Sequence, residues 1–460
     1  MEKVNIFWFR RDLRLCDNAG LHAALASGLK VLPMFIFDSE ILEKLSDKKD
    51  KRVSFIHNAL GKLDIQILCF YGKPADVFEW IAGNESLNKF YKTDTVFCNE
   101  DYEPYATERD NLVSGVLAKK GIGFKTYKDN VVFSKSDVLK SDGTPYTVFT
   151  PYSKMWRSKL NNNFADYLHH FPSEILTNNF IIPNFEVPAQ KEDFKIFTCL
   201  PSIEEIGFVS DGEIIDIKET KSNRIELFKK DIIVNYHNTR NFPAIDNGTT
   251  RLGVHLRFGT VSIRDAVRVA LELNEVWLSE LIWREFFQQI IFHFPYSADG
   301  PFKKRYSFIK WRNDENEIER WCRGETGYPI VDAGMRELNE TGFMHNRVRM
   351  IVASFLTKHL LSDWRIGEAY FAEKLLDYDL AANVGNWQWA AGCGCDAAPY
   401  FRVFNPWEQT KKFDPKAEYI MKWVPEFLSA SYPRPIVEHA FARNRALETY
   451  KRGLEQYVHP

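Results

Sequence analysis

Along the first 120 residues, short apolar runs alternate with stretches of helical spacing. VNIFWF (4–9), VLPMFIF (31–37), IQILCFY (65–71) and TVFCN (95–99) read as strands. Segments around 18–27, 52–63, 75–83 and 105–119 carry helix signals between them. A repeated β-α unit packs as a parallel sheet with helices on both faces. From about 130 to 210 the periodicity weakens and Pro151, Pro172, Pro183, Pro188 and Pro201 accumulate. That stretch reads as a long surface connector between two domains that stay in contact. From about 215 to 427 apolar residues recur at spacings of three and four, through 222–236, 261–273, 276–292, 329–340, 344–361 and 367–376. That part reads as an all-α domain, and the tail 434–460 adds one charged helix. The expected plan is α/β plus all-α: a Rossmann-like parallel-sheet domain (1–130), a connector (131–212) and a helical domain (213–460).

The 460 residues are too many for one core, in agreement with two domains. Hydrophobic residues make up 45% and charged residues 27%, as in ordinary globular chains. Aromatics reach 15%, an excess that fits either stacking on flat ligands or a large core. A formal net charge of -2 means that any basic surface is local. The seven cysteines are odd in number and dispersed, unlike a disulfide framework. Cys393-Gly-Cys395 has no second ligand cluster beside it, and no metal is expected. The charged N-terminal stretch is not a signal peptide, and no apolar run reaches the roughly 18 residues of a membrane span. A reducing cytoplasm with access to the nucleoid is the expected location. The turn after the first strand, RRDLRLCDN (10–18), lacks GxGxxG, so a dinucleotide on that domain is not supported.

The candidate chemistry is concentrated in Asp377–Tyr400, DYDLAANVGNWQWAAGCGCDAAPY. Asp377 and Asp379 are two apart, Asn383 follows one helical turn later, and Trp387 and Trp389 flank a glutamine. Small residues beside large aromatics suit close approach by a flat partner, although a turn followed by a buried Trp-rich helix gives the same pattern. At 248–253, GTTRLG offers two hydroxyls and free amides before a helical stretch, which makes either a phosphate cradle or a plain N-cap. In WLSELIWREFFQ (277–288), Trp277, Glu280 and Arg284 fall on one helical stripe bordered by Trp283. In MHNRVRM (344–350), Asn346 and Met350 share a face flanked by Arg347 and Arg349, and Arg349 is a candidate partner for an acid such as Asp377. KKRYSFIKWR (from 303) and TKKFDPK (from 410) interleave bases with aromatics, as a nucleic-acid surface or a solvated face does.

The order and spacing of these motifs resemble the photolyase/cryptochrome family, and within it the class I cyclobutane pyrimidine dimer photolyases. The likeness runs from FWFRRDLRLCDNAGL (7–21), through GYPIVDAGMRELNETGFMHNRVRMIVASFL (327–356), to LLDYDLAANVGNWQWAA and DAAPYFRVFNP (375–406). It implies a helical domain that holds FAD in a U shape, with contacts from Tyr236, Thr249, Thr250, Arg251, Leu252, Gly253, Trp277, Arg284, Asp377, Tyr378 and Asp379. Asn383 matches the residue beside the flavin N5, and Gly253 stands where many members have serine. The resemblance assigns a photoreduction relay to Trp387, Trp364 and Trp311. It places Arg240, Glu280, Trp283, Asn346, Arg347, Met350, Trp389 and Gln409 against UV-damaged DNA and its flipped-out dimer. The implied reaction is electron transfer from light-excited, reduced FAD to the dimer by a monomeric enzyme. The alternative in the same family is a cryptochrome photosensor. The Glu280, Trp283 and Trp389 set favours dimer repair over it, Met350 argues against the (6-4) branch, where a histidine pair is expected, and a dark flavin oxidoreductase lacks its nicotinamide fingerprint. A second, antenna pigment is open among folate, deazaflavin, another flavin and none. Ala106, in YEPYATERD (102–110), occupies the position of a glutamate in folate-binding members.

Overall fold

The computed structural model describes residues 2–83, 91–181, 194–210 and 228–457. Its sheet has six strands: β1 (Glu2–Phe9), β2 (Lys30–Asp38), β3 (Leu68–Gly72), β4 (Tyr91–Asn99), β5 (Gly123–Tyr127) and β6 (Phe194–Phe197). They lie in the order β5-β4-β1-β2-β3-β6, all parallel except β6, which pairs antiparallel with β3. β1 pairs on both sides, and residues 4–9 are buried throughout, which is why that stretch is continuously apolar. β5 and β6 are the edges. Their sequences, GFKTY and FKIF, alternate or carry lysine, and neither was expected as a strand.

Helices at Ala19–Leu25, Lys51–Gly61, Pro74–Gly83 and Pro104–Lys119 lie between the strands, close to the expected positions. Asn18 and Asp50 cap the first two through their side chains, and Pro104 opens the fourth. One face of the sheet and its helices closes around Trp8, Met34, Phe70, Phe78 and Val113.

The chain divides into two compact units. One comprises Met1–Asp137, Arg157–Lys229 and Leu252–Glu272, and the other Val138–Trp156, Lys230–Arg251 and Leu273–Pro460. Side-chain chemistry explains why 138–156 groups with the helices. Trp156 Nε1 donates to buried Glu285 at 2.6 Å, and Gln289 Nε2 donates to the Tyr146 carbonyl at 2.8 Å. The expected helix at 222–236 is observed as Lys230–Thr239, and 222–227 lie outside the described residues. The expected helix at 344–361 is two elements, Asn346–Ser354 and a π-helical turn at Phe355–His359. Among the described residues no helix is long and apolar enough to cross a membrane.

In the helical unit, Leu380–Ala391 packs on Glu275–His293. Gly385 permits the approach, since a Cβ there would stand 2.2 Å from the Phe287 ring. Gly385→Ala is expected to destabilise the protein by about 1–3 kcal/mol through overpacking, read as a lower urea midpoint at unchanged slope.

Candidate functional site

Both central acids lie at the start of one helix, Leu380–Ala391. Asp379 caps Leu380–Ala391, its Oδ1 accepting from Ala382 N at 3.1 Å. The same carboxylate accepts from Gln288 Nε2 at 3.0 and 2.9 Å. Gln288 Oε1 is buried without a hydrogen-bond partner. Asp377 receives Arg349 Nη2 at 3.1 and 3.0 Å, and Arg349 Nε donates to the Met344 carbonyl at 2.7 Å. The pair suggested by the sequence therefore forms.

Asp377, Tyr378, Asp379 and Asn383 line one cleft of about 590 Å³ with Asn346, Arg349, Met350, Trp387 and Trp389. Asn383 Nδ2 donates to both the carbonyl and the Oε1 of Glu368, at 3.0 and 2.9 Å. Burial pushes the Glu368 carboxyl above its ordinary range, against the pull of its hydrogen bonds from Asn383 and Tyr378. Glu368 thus fixes the direction in which the Asn383 amide presents its oxygen. The sequence reading missed Glu368, which lies on another helix, Trp364–Lys374, fifteen positions before Asn383 with no local signal.

Trp387 is buried, and its ring meets Phe371 at 5.0 Å and Trp321 at 6.2 Å, both edge-on. Gly367 lies against it so closely that a Cβ would be 2.1 Å from the indole. Trp364 is buried in the same core, and half-buried Trp311 packs against that core. Trp311 meets the Tyr450 ring at 5.7 Å. Trp321 was not singled out in the sequence.

On Glu275–His293, Glu280 pairs with Arg240 at 2.6 Å. Burial raises the Glu280 carboxyl, and Arg240 opposes that shift. Arg240 also lies over the Tyr236 ring at 5.3 Å. Trp283 stacks on Phe149, with centroids 3.7 Å apart and planes 6° from parallel. Phe149 belongs to the stretch read as connector and carried no signal of this contact. Trp277 is buried, and its backbone N–H donates to the capping Asn274 Oδ1 at 3.1 Å. Arg284 is half-buried on the same helix. Arg347 donates to Asn241 at 2.6 Å and to Met350 Sδ at 3.6 Å, and lies over Phe413 at 4.3 Å. Gln409 is half-buried in the helix Pro406–Phe413.

In the 248–253 segment Thr250 and Leu252 are buried, and Thr249 is half-buried. Arg251 is exposed over the Phe343 ring at 4.5 Å and holds a left-handed φ of 54°. A non-glycine residue there carries strain of about 1–2 kcal/mol. Gly253 starts the helix Gly253–Phe258.

His345 caps Asn346–Ser354 by accepting from Arg347 N at 3.1 Å, so its Nδ1 is unprotonated. Burial, then Arg349 and Arg347, push its pKa down to about 4. An unfolded histidine takes its proton near 6.5, so the unfolded chain binds more protons in the window between. Stability is expected to fall as pH drops from about 6.5 to about 4, by on the order of 3 kcal/mol from this group. His345→Asn keeps a capping oxygen and should flatten that part of the pH profile of the urea midpoint.

The α/β unit has its own cavity of about 880 Å³ at the carboxyl ends of its strands, lined among others by Trp8, Phe35, Asp38, Tyr105, Ala106 and Arg109. Tyr105 donates to Asp38 at 2.7 Å, and Arg10 and Arg109 lie over the Trp8 ring at 4.9 and 5.0 Å.

Residues 5–173 match the family described as DNA photolyase, and 277–430 that described as the FAD binding domain of DNA photolyase. A deoxyribodipyrimidine photo-lyase of Synechococcus is 36% identical, over 94% of this chain and 93% of its own. The solved archaeal photolyase of Sulfolobus tokodaii superposes with a TM-score of 0.77 at 33% identity, covering 97% of this chain and 99% of its own. A Synechocystis cryptochrome gives a TM-score of 0.80 at 25% identity, covering 98% and 99%. Together the matches define a flavin-binding protein with one α/β and one helical part. The chain belongs to the photolyase/cryptochrome family.

The donor set around the helical cleft fits FAD. It offers two acids held by Arg349 and Gln288, an amide oriented by Glu368, and a buried indole at one wall.

Proposed function

We propose that this chain is a deoxyribodipyrimidine photo-lyase that repairs cyclobutane pyrimidine dimers in UV-damaged DNA under light. The observation that carries the proposal is one cleft lined by the flavin-facing set Asp377, Asp379 and Asn383 and by the lesion-facing set Asn346, Met350 and Trp389. Tyr236, Thr249, Thr250, Arg251, Leu252, Gly253, Trp277, Arg284 and Tyr378 complete the flavin contacts. When bound, FAD supplies the light absorption and the single electron that opens the cyclobutane ring.

The chain's own residues orient and tune. Arg349 fixes Asp377 through both carboxylate oxygens, a charge-assisted geometry that admits little rotation. Glu368 orients the Asn383 amide for hydrogen bonding at the flavin edge. Trp387, Trp364 and Trp311 serve as replaceable electron sources that return the cofactor to its active state. On the substrate side, Phe149 fixes the plane of Trp283, so little ring entropy is lost when a dimer stacks there. Glu280, held by Arg240, offers oxygens to the imide edge of a thymine. Arg240, Arg347 and Gln409 reach the DNA, and the phosphate contacts make binding salt-dependent. A dimer is already poorly stacked, so turning it out of the duplex costs less than for a normal base, as holds generally for enzymes that act on an extruded base, photolyases included.

The cavity of the α/β unit suits a second, planar pigment, with apolar walls and the Arg109 and Tyr105 edge groups. The Sulfolobus tokodaii structure is described as holding two FAD molecules, with the implication of a novel light-harvesting cofactor.

An oligonucleotide carrying one thymine dimer tests the function. Restoration of the two thymines under blue light and none in darkness is the expected result. Light-dependent flavin reduction without restoration would instead identify a photosensor.

A further inference from the structure

Away from the lining of either cavity, four side chains of the α/β unit converge without a role in the function above. Cys16 Sγ lies 3.9 Å from His170 Nε2, and that same nitrogen lies 3.3 Å from Glu174 Oε1. The three ligand atoms are all within 4.8 Å of one another. His170 Nδ1, on the far edge of the ring, faces the Asp17 carboxylate at 3.7 Å. We propose that Cys16, His170 and Glu174 bind a divalent metal ion of the zinc class, with the fourth position open to solvent.

The donor spacing supports this. Bond lengths of about 2.3 Å to sulfur and about 2.0–2.2 Å to nitrogen and oxygen place tetrahedral ligands about 3.3–3.6 Å apart. The nitrogen–oxygen pair is already there, and the sulfur needs only a small rotation. Asp17 supplies the outer carboxylate that metal-bound imidazoles use to fix their tautomer. Asp17 is itself anchored by Arg264 at 3.2 Å, with Arg268 at 3.5 Å. A thiolate and a carboxylate neutralise a dication, so the half-buried position carries no net charge.

Hydrogen bonds between side chains and backbone hold the two segments in place before any ion arrives. Phe171 N donates to Asp17 Oδ1 at 2.9 Å, and Ser173 Oγ donates to the Leu15 carbonyl at 2.5 Å. Glu174 Oε2 is buried without a hydrogen-bond partner. A histidinium between two carboxylates would account for Asp17 and Glu174, with Cys16 Sγ as no more than a weak hydrogen-bond partner at 3.9 Å, and the zinc titration separates that arrangement from a metal site. Binding breaks the Cys16 S–H bond as the sulfur–metal bond forms. The proton leaves to buffer, and no atom changes oxidation state.

The test uses the full flavin-bound protein, stripped with chelator and titrated with zinc chloride by calorimetry against a competing chelator. One site is expected, weakened at least about tenfold in both Cys16→Ser and His170→Ala. Proton release on binding should vanish in Cys16→Ser. His170 is exposed, so His170→Ala should melt like the wild type without zinc, and only the wild type should gain melting temperature on zinc addition. No uptake by the wild type, or equal uptake by His170→Ala, would overturn the assignment.

Discussion

Trp387→Phe should abolish most photoreduction of the oxidised flavin while leaving repair by chemically pre-reduced protein intact. Trp387 lines the cleft and is buried, with Phe371, Trp321 and Gly367 against its ring. Phenylalanine fills most of that space but does not readily give up an electron. The fold should therefore lose only about 1–2 kcal/mol, from the small void left behind. Transient absorption of the oxidised protein reads the first effect, and dimer repair after dithionite reduction reads the second. Unchanged photoreduction kinetics would remove Trp387 from the relay. Loss of both activities together would mark it as a packing residue of the flavin site.

Trp283→Ala should weaken binding to dimer-containing DNA far more than binding to undamaged DNA. Stacking of a base on an aromatic ring is worth about 1–3 kcal/mol, which is about 5- to 150-fold in affinity. Undamaged duplex is held through phosphate contacts, which this change does not touch. Because Trp283 also stacks on Phe149, truncation costs some stability, and the comparison must be made well below the melting temperature. Equal losses on both DNAs would place Trp283 in the scaffold and not at the lesion. Expressing the result as a ratio of affinities at one salt concentration removes the general electrostatic term.

The parts of this molecule visible in the sequence are those whose signal is local. VNIFWF and VLPMFIF announce central parallel strands because both of their faces are buried. GFKTY and FKIF, at the sheet edges, are too polar and too short to do so. The stretch 344–361 keeps one apolar period across Ser354, and so conceals the change to π-helical hydrogen bonding at Phe355–His359. In the cleft, Asp379 was visible as an acid before a helical run, and its cap is such a signal. Its second duty, accepting from Gln288, depends on the crossing of two helices. Glu368 facing Asn383 and Phe149 on Trp283 were hidden for the same reason. Tertiary packing sets those contacts, and no spacing rule encodes them.

The wavelength dependence of dimer repair tests the central claim most directly. Dimers restored per incident photon should follow the absorption of the reduced flavin bound to the protein, with any added band matching a second pigment released on denaturation, and should be zero in darkness. Repair that proceeds in the dark, or a flavin-bound protein that absorbs light but restores no dimers at any wavelength, would contradict it.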